Sequence, residues 1–345
     1  MIVVINAGGS GSRLWPLSTP EYPKHLLKMI GDQSLLQSAV ARAKKIAPVD
    51  KIYIITEVGH AHHVKEQLPE LGDDAFIIEP ARRGTAGCMV AGLNYLQSRH
   101  DHDEPIAFLH ADHAIRDIEG FARSFEMASK ATTEHKRLTL IGIEPTYAAT
   151  GFGYIERDGA VDDNVLVHQV VGFKEKPDFE LANKYIKSGR YLWNCGYFVG
   201  SINTFVAAFR EFSPMWHENY QKLVAAPTSE AYQAAYLTFE NIAIDYALLE
   251  RMNNLLVVPA TFDWMDLGSF KDAHSASERD AANNFVHGSV ELEAVTNAYI
   301  RNEETKPVVV IGLDNVVVVN TPTGILVARK DMSQQVGDVS KRLQK

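Results

Sequence analysis

Over the first 145 residues, short apolar runs alternate with stretches whose apolar positions recur every three to four residues. Residues 2–5 are a continuous Ile/Val run, the pattern of a strand buried on both faces. Leu36, Val40, Ala43 and Ala47 then repeat at helical spacing behind Asp32 and Ser34, either of which suits a helix N-terminus. The same reading predicts strands at 51–56, 76–78, 106–109 and 138–143, with helices at 60–68, 85–97 and 121–131 between them. Strands joined by single helices predict an α/β fold, a mostly parallel sheet with helices on both faces. Residues 150–200 read as strand-rich and 201–250 as helical, and a strand at 255–259 leads into DWMDLGSF at 263–270. Beyond Asn284 the chain turns to short Val/Ile runs and turn residues, with no helix before about Val336. The expected organisation is a first domain over residues 1–280 and a small all-β module with a short helical tail over 281–345. No internal repeat stands out with a definite period.

Composition narrows the partners. A chain of 345 residues buries roughly three quarters of its unfolded surface, so neither a disulfide nor a structural metal is needed. With 34 basic and 43 acidic residues the net charge is −9, which argues against nucleic acid and leaves room for a small anion held by local cations. Residues 1–5 are too short for a signal-peptide core, and the first basic residue is Arg13. The apolar runs near 307–313 and 315–319 are strand length, below the ~20 residues of a spanning helix, so no membrane segment is expected. Cys88 and Cys195, without CxxC spacing, suit a reducing cytoplasm. His60, His62 and His63 read as a solvated helix face. His110 and His113 flank Asp112, which leaves a zinc site open, although no HExxH or similar spacing accompanies them.

The sharpest chemical signal is AGGSGSRLWPLS at 7–18, directly after the first strand. Glycines let backbone N–H groups crowd a pyrophosphate, because no Cβ blocks the approach and positive φ is tolerated. A dinucleotide-binding loop needs a third glycine where Leu14 stands, and an ATPase-type loop needs Gly-Lys-Ser/Thr; both are absent. What remains is Gly8, Gly9 and Gly11, then Arg13, and Lys24 further on. Arg13 can grip phosphate oxygens with two N–H groups and Lys24 can act as a point charge. The letters alone also permit a Gly-rich turn with a surface arginine. Asp112 follows the strand at 106–109, placing it at the carboxyl end of the sheet, where open α/β folds bind ligands. Asp266 follows another strand-like run 154 residues later, so the two could share one Mg²⁺ beside Arg13. Either could equally be a capping carboxylate, and Asp263 competes with Asp266. Glu175 and Lys176 suit a sugar hydroxyl and a phosphate respectively, or a solvated turn. Adjacent strand residues face opposite ways, so both enter one pocket only if the strand ends there, as Pro177 suggests.

Residues 7–24 resemble the signature of nucleotidyltransferases that join a sugar 1-phosphate to a nucleoside triphosphate. LWPLS (14–18) and YPKHLL (22–27) resemble the mannose-1-phosphate guanylyltransferase (GDP-mannose pyrophosphorylase) branch. The similarity continues through EPARRGTA (79–86), FLHADHAI (108–115), GFGYIE (151–156), FKEKPD (173–178), WNCGYFVG (193–200), DWMDLGSF (263–270) and NVVVVNTPTGILVA (315–328). Eight ordered blocks cover nearly the whole chain. The resemblance implies a Rossmann-like nucleotide-diphospho-sugar transferase domain with a left-handed β-helix-like module that supports a homodimer. It implies GTP and mannose 1-phosphate as substrates, Mg²⁺ as cofactor, and Asp112 and Asp266 as its ligands. Nucleotide contacts are implied from Ala7, Gly8, Gly9, Ser10, Gly11, Ser12, Arg13, Lys24, Glu79, Arg83, Thr85 and Asp112. Sugar-phosphate contacts are implied from Gly153, Glu175, Lys176 and Asn194, with Tyr154 a neighbour and Asp245 an ordinary polar or sugar-side residue. Arg13, Lys24, Asp112, Lys176 and Asp266 carry the implied catalysis.

The chain departs from the branch at three positions: Gly84 where Asn or Asp is frequent, His25 for glutamine and Cys195 for serine. Trp193, Tyr197 and Phe198 read as core. The expected reaction is GTP + mannose 1-phosphate → GDP-mannose + pyrophosphate. The alternatives are the same chemistry on a heptose or glucose phosphate, or a silent paralogue that binds a nucleotide sugar and regulates a partner. The silent reading expects loss of the metal and phosphate residues, all of which are present.

Overall fold

The computed structural model describes residues 1–9, 11–161 and 164–343, with 164 and 165 described by their backbone only. Strands β1 (Ile2–Asn6), β2 (Ile52–Glu57), β3 (Phe76–Glu79) and β4 (Ile106–His110) pair in parallel, linked by α1 (Leu35–Ala43), α2 (Ala61–Gln67) and α3 (Gly84–Leu96). Val3 and Ile5 enter the core on one face of the sheet, Ile2 and Val4 that on the other, which is why the run is apolar without alternation. Ser34, rather than Asp32, caps α1: its side chain accepts from the Gln37 N–H while Gln37 reaches back to the Ser34 N–H. His60 departs from the solvated reading. It precedes α2, is buried, and its Nε2 lies 2.7 Å from the Pro20 carbonyl, whereas His62 is exposed.

The chain continues through β5 (His113–Ala114), α4 (Ile118–His135), β6 (Thr139–Ile143), β7 (Gly153–Val161), β8 (Asn164–Lys174), α5 (Phe179–Ser188) and β9 (Tyr191–Gly200). Four helices follow, α6 (Ile202–Phe212), α7 (Pro214–Val224), α8 (Ser229–Leu237) and α9 (Ile244–Ala247), then β10 (Leu256–Pro259), β11 (Met265–Asp266) and α10 (Phe270–Ala276). Nine strands form one sheet in the order β3–β2–β1–β4–β9–β6–β10–β8–β7. β9 runs antiparallel between β4 and β6, and β8 antiparallel to β10; the other seven share one direction. Within β9 the register slips: Ile141 pairs with Tyr197 but Gly142 pairs with Asn194. The resulting bulge at Cys195 and Gly196 (φ +73°) lies against His110 at the carboxyl end of β4, and bulges re-aim side chains.

After Asn284 come β12 (Phe285–His287), β13 (Val290–Glu293), β14 (Tyr299–Asn302), β15 (Val308–Ile311), β16 (Val316–Thr321), β17 (Gly324–Arg329) and the terminal helix α11 (Val336–Leu343). β12, β14 and β16 stack in parallel on one face, β13 and β15 on another, and β17 closes antiparallel against β16. This is a β-helix. Its coil has a period that no repeat in the letters marks: Val290 faces Val308, Tyr299 faces Val317 and Thr296 bridges Asp314, each 18 residues on. Asn297 and Asn315 occupy equivalent left-handed corners (φ +54° and +55°), a conformation asparagine tolerates well. Their side chains form a ladder that Asn283 extends. The module shares a core with the rest of the protein, in which Leu14, Leu27, Leu267 and Phe270 meet Tyr299, Val317 and Val336.

Candidate active site

The Gly-rich loop leaves β1 at the carboxyl end of the sheet. Ala7 is buried and its N–H continues the sheet by bonding the Ile55 carbonyl at 2.8 Å. Gly9 (φ +98°) and Gly11 (φ +59°) both need backbone conformations that side chains resist. Gly11 has a second constraint, because a Cβ there would collide with the Lys24 side chain. The two segments of the signature, 7–13 and 22–27, are therefore pressed together at Gly11 and Lys24. Ser12–Leu14 form a short 3-10 turn that presents Arg13, whose guanidinium is exposed; Ser10 lies outside the described residues.

Lys24 is buried, and its Nζ lies 2.9 Å from Asp112 Oδ2 and 2.8 Å from Asp266 Oδ1. Burial alone would lower the lysine pKa, but the charges of Asp112 and Asp266 outweigh it and hold it above the ordinary value. Burial would likewise raise the two carboxyls, but Lys24 above all holds both below their ordinary value, Asp112 well below it. The aspartates meet because β5 and β11 pair antiparallel with His113 opposite Asp266. Asp263 does not face this centre: its Oδ1 accepts the N–H groups of Arg116 and Asp117. His113 is committed to support. Its Nδ1 accepts the Trp264 indole N–H at 3.1 Å and lies 3.0 Å from the Tyr197 hydroxyl, which puts the ring proton on Nε2, the nitrogen nearer Asp112. Among the described residues, the group of three potential metal ligands is His62, His63 and Glu66 on α2, which shares no residue with this centre.

Glu175, Lys176, Gly153 and Asn194 come together on the other side of the site. β8 ends at Lys174, and Lys176 takes a left-handed conformation (φ +46°), so the alternation of strand side chains no longer applies to this pair. Lys176 Nζ lies 2.9 Å from Glu175 Oε1, while Glu175 Oε2 is buried with no partner among the described residues. Gly153 pairs with Asn194 across β7 and β9, and any Cβ at 153 would strike Glu175 Oε2. Asp245 stands beside this pocket, in line with the sugar-side alternative. Its Oδ1 accepts from Asn194 Nδ2 at 2.6 Å, and burial, reinforced by Glu175, raises its carboxyl to about 6. Tyr154 is fully buried, its hydroxyl bonded to the Ala149 carbonyl, and belongs to the core. Cys195 is buried as well; its thiol donates to the Ile141 carbonyl, and burial pushes it up to about 12.

The third edge of the site is the N-terminus of α3. Arg83 donates to the Leu237 carbonyl at 2.8 Å, and the Thr85 hydroxyl accepts the Ile244 N–H at 2.8 Å, so both tie the α8–α9 connection to the 79–86 segment. Gly84 (φ +69°) touches the Ile242 backbone so closely that no side chain fits, which gives a local reason for glycine at this position. Glu79 is buried and accepts the Tyr236 hydroxyl. Burial raises its carboxyl from an ordinary 4.5 to about 7, with the Tyr236 bond opposing and Glu57 adding to the shift. The folded protein thus holds this proton more tightly than the unfolded chain. The associated stability is complete below pH 4.5 and is lost as pH rises through 7, by about 3 kcal/mol at ~1.4 kcal/mol per pKa unit. Glu79→Gln should flatten the fall in thermal midpoint between pH 5 and 8; parallel profiles for variant and wild type would contradict this.

A nine-stranded α/β sheet with a Gly-rich loop, a lysine-bridged aspartate pair at its carboxyl end and an appended β-helix defines a nucleotide-handling transferase. The chain matches the nucleotidyl transferase family over residues 2–283 and the MannoseP isomerase/GMP-like beta-helix domain over residues 288–343. It belongs to the nucleotidyl transferase family. A mannose-1-phosphate guanylyltransferase of Salmonella muenchen is 34% identical over 347 residues, covering 98% of this chain and 72% of the relative. One from Escherichia coli is 34% identical over 345 residues, covering 97% and 72%. The crystal structure of a Thermus thermophilus protein, described as a mannose-1-phosphate geranyltransferase, superposes with a TM-score of 0.89 at 26% identity over 100% of this chain and 99% of that one. No helix among the described residues is long and apolar enough to cross a membrane.

Proposed function

We propose that the protein transfers GMP from GTP to mannose 1-phosphate, releasing pyrophosphate, in the cytoplasm and as a homodimer. The observation that carries this reading is the meeting of Lys24, Asp112 and Asp266 beside the Gly-rich loop, with the Glu175–Lys176–Asn194 pocket across from it. Residues 1–280, which hold all of these groups, are the catalytic domain, and the β module with its helical tail follows from 281. The exposed Val309 and Ile311 on β15, and Ile325 and Val327 on β17, offer apolar surface on two faces of that module to a second copy; a strict monomer by light scattering would remove the dimer.

Asp112 and Asp266 would hold Mg²⁺. They fit it, because the Lys24 ammonium already stands between them as one shared cation and their oxygens are the hard donors Mg²⁺ takes. Bound there, the ion would neutralise charge on the triphosphate. The protein supplies the rest. The loop N–H groups of Gly8 to Ser12, with Arg13 and Lys24, hold the triphosphate, and Lys176 receives the sugar 1-phosphate. A sugar phosphate has its second pKa near ~6 and is largely dianionic at pH 7, so the attacking oxygen needs little help from a base. It attacks the α-phosphorus, the bond to the β-phosphate oxygen breaks, and pyrophosphate leaves. Catalysis then consists of positioning and charge stabilisation.

On the sugar side, Glu175 Oε2 is an acceptor with no partner among the described residues. Glu175→Gln should raise KM for mannose 1-phosphate about tenfold and leave KM for GTP unchanged, the size expected for a hydrogen bond to a charged group. A pyrophosphate-release screen of four nucleoside triphosphates against a panel of sugar 1-phosphates tests the whole reading. It fails if another pair is turned over faster than GTP with mannose 1-phosphate.

A further inference from the structure

The C-terminal module touches each residue of the phosphate loop from Ser12 to Pro16. The Thr321 hydroxyl lies 3.4 Å from the Pro16 carbonyl, and a Cβ at Gly324 would sit 2.7 Å from the Trp15 ring. Leu14 shares its core with Val317 and Val336. At Arg13 and Ser12 the contact is with the tail itself. A Cβ at Gly337 would lie 2.8 Å from Arg13 Cγ and 3.4 Å from Ser12 Oγ, so the first turn of α11 lies directly against the arginine stem. One turn earlier, Gln334 Oε1 accepts from Arg13 Nη1 at 2.9 Å. The other prong of the guanidinium, Nη2, lies towards Asp266: it and Asp266 Oδ2 are each 3.3 Å from the point a Cβ on Gly268 would occupy.

We infer that Gln334 and Gly337 are positioning residues of the active site, which hold the Arg13 stem and one guanidinium nitrogen so that the other faces the triphosphate. The inference rests on the role given to Arg13 under the proposed function. An unrestrained arginine explores many rotamers, and the freedom lost on gripping a phosphate opposes binding. The tail removes part of that freedom before the nucleotide arrives. Glutamine suits the task because its carbonyl accepts one N–H without neutralising the guanidinium; a carboxylate in its place would compete with the phosphate for the charge. Gly337 suits it because any side chain would displace the arginine stem. The β-helix thereby reaches into nucleotide binding from outside the sheet.

The test uses the full chain, with pyrophosphate release as the assay and GTP and mannose 1-phosphate varied separately. Gln334→Ala should raise KM for GTP about fivefold and leave KM for mannose 1-phosphate and the thermal midpoint unchanged. Gln334→Glu should raise it further, whereas a purely structural contact would tolerate glutamate. The loss should disappear in an Arg13→Ala background, because the two residues act through one group. An unchanged KM for GTP in Gln334→Ala, or an equal loss with and without Arg13, overturns the inference while leaving the proposed reaction intact. If Arg13→Ala alone leaves KM for GTP unchanged, the role of Arg13 falls and the positioning role falls with it.

Discussion

Asp266→Asn is expected to reduce pyrophosphate release about a hundredfold or more at saturating Mg²⁺, the scale of losing one fixed charge interaction worth ~3 kcal/mol in a transition state. The substitution keeps the shape of the side chain and its place on β11, opposite His113, so the fold should survive. What changes is the charge: Lys24 would be left with Asp112 as its anionic partner, and the pair that shares a cation would lose one member. Asp112→Asn should behave alike, since its oxygen meets the same ammonium at nearly the same distance. Asp263→Asn is the control. Its carboxylate accepts two backbone N–H groups at the start of α4, so its loss should lower stability more than rate. Titrating Mg²⁺ in each variant separates the cases. The site assignment fails if Asp266→Asn keeps full Mg²⁺-dependent release.

The parallel strands and their helices are readable in the chain because Ile2 to Ile5 and the residues at 52–55 are buried on both faces, and burial leaves a mark in every letter. Strand direction leaves none. The antiparallel insertion of β9 between β4 and β6 is set by pairing partners far apart in sequence, and an apolar strand reads the same either way. The β-helix period was hidden for a related reason. VTNAYIRN (295–302) and LDNVVVVN (313–320) share only the corner asparagine, the closing asparagine and an apolar pattern, and Phe285 meets Tyr299 only 14 residues on.

The site divides in the same way. Gly11, Lys24, Asp112 and Asp266 are legible because their residue types are demanded by a backbone angle or a charge. That Asp266 and not Asp263 meets Asp112 at Lys24 follows from the β5–β11 ladder, which is two residues long and too short to leave a periodic trace. Gln334, an exposed polar residue in the tail, carries no local signal at all. Asp245 stands in a helical stretch where one carboxylate is unremarkable, and only its bond to Asn194 sets it apart.

Replacing Lys24 should have the other large effect, and in two measurements of opposite sign. Without the ammonium, the carboxylates of Asp112 and Asp266 face one another with no cation between them, and like charges at this range disfavour ionisation of both. In Lys24→Met the thermal midpoint measured in EDTA should therefore fall by roughly 5 °C, because the substitution removes one partner from a largely buried charge network. Adding Mg²⁺ should recover more of that loss than it adds to the wild type, since no lysine competes for the aspartates. Activity should nonetheless stay about a hundredfold down, because the residue pressed against Gly11 is also one of the cations assigned to the triphosphate. The combination separates a lysine that merely neutralises two acids from one that also meets the substrate. If Mg²⁺ restores activity along with stability, Lys24 serves only to hold the aspartates. If the midpoint in EDTA is unchanged and the Mg²⁺ shift equals that of the wild type, the two carboxylates do not form a shared cation site.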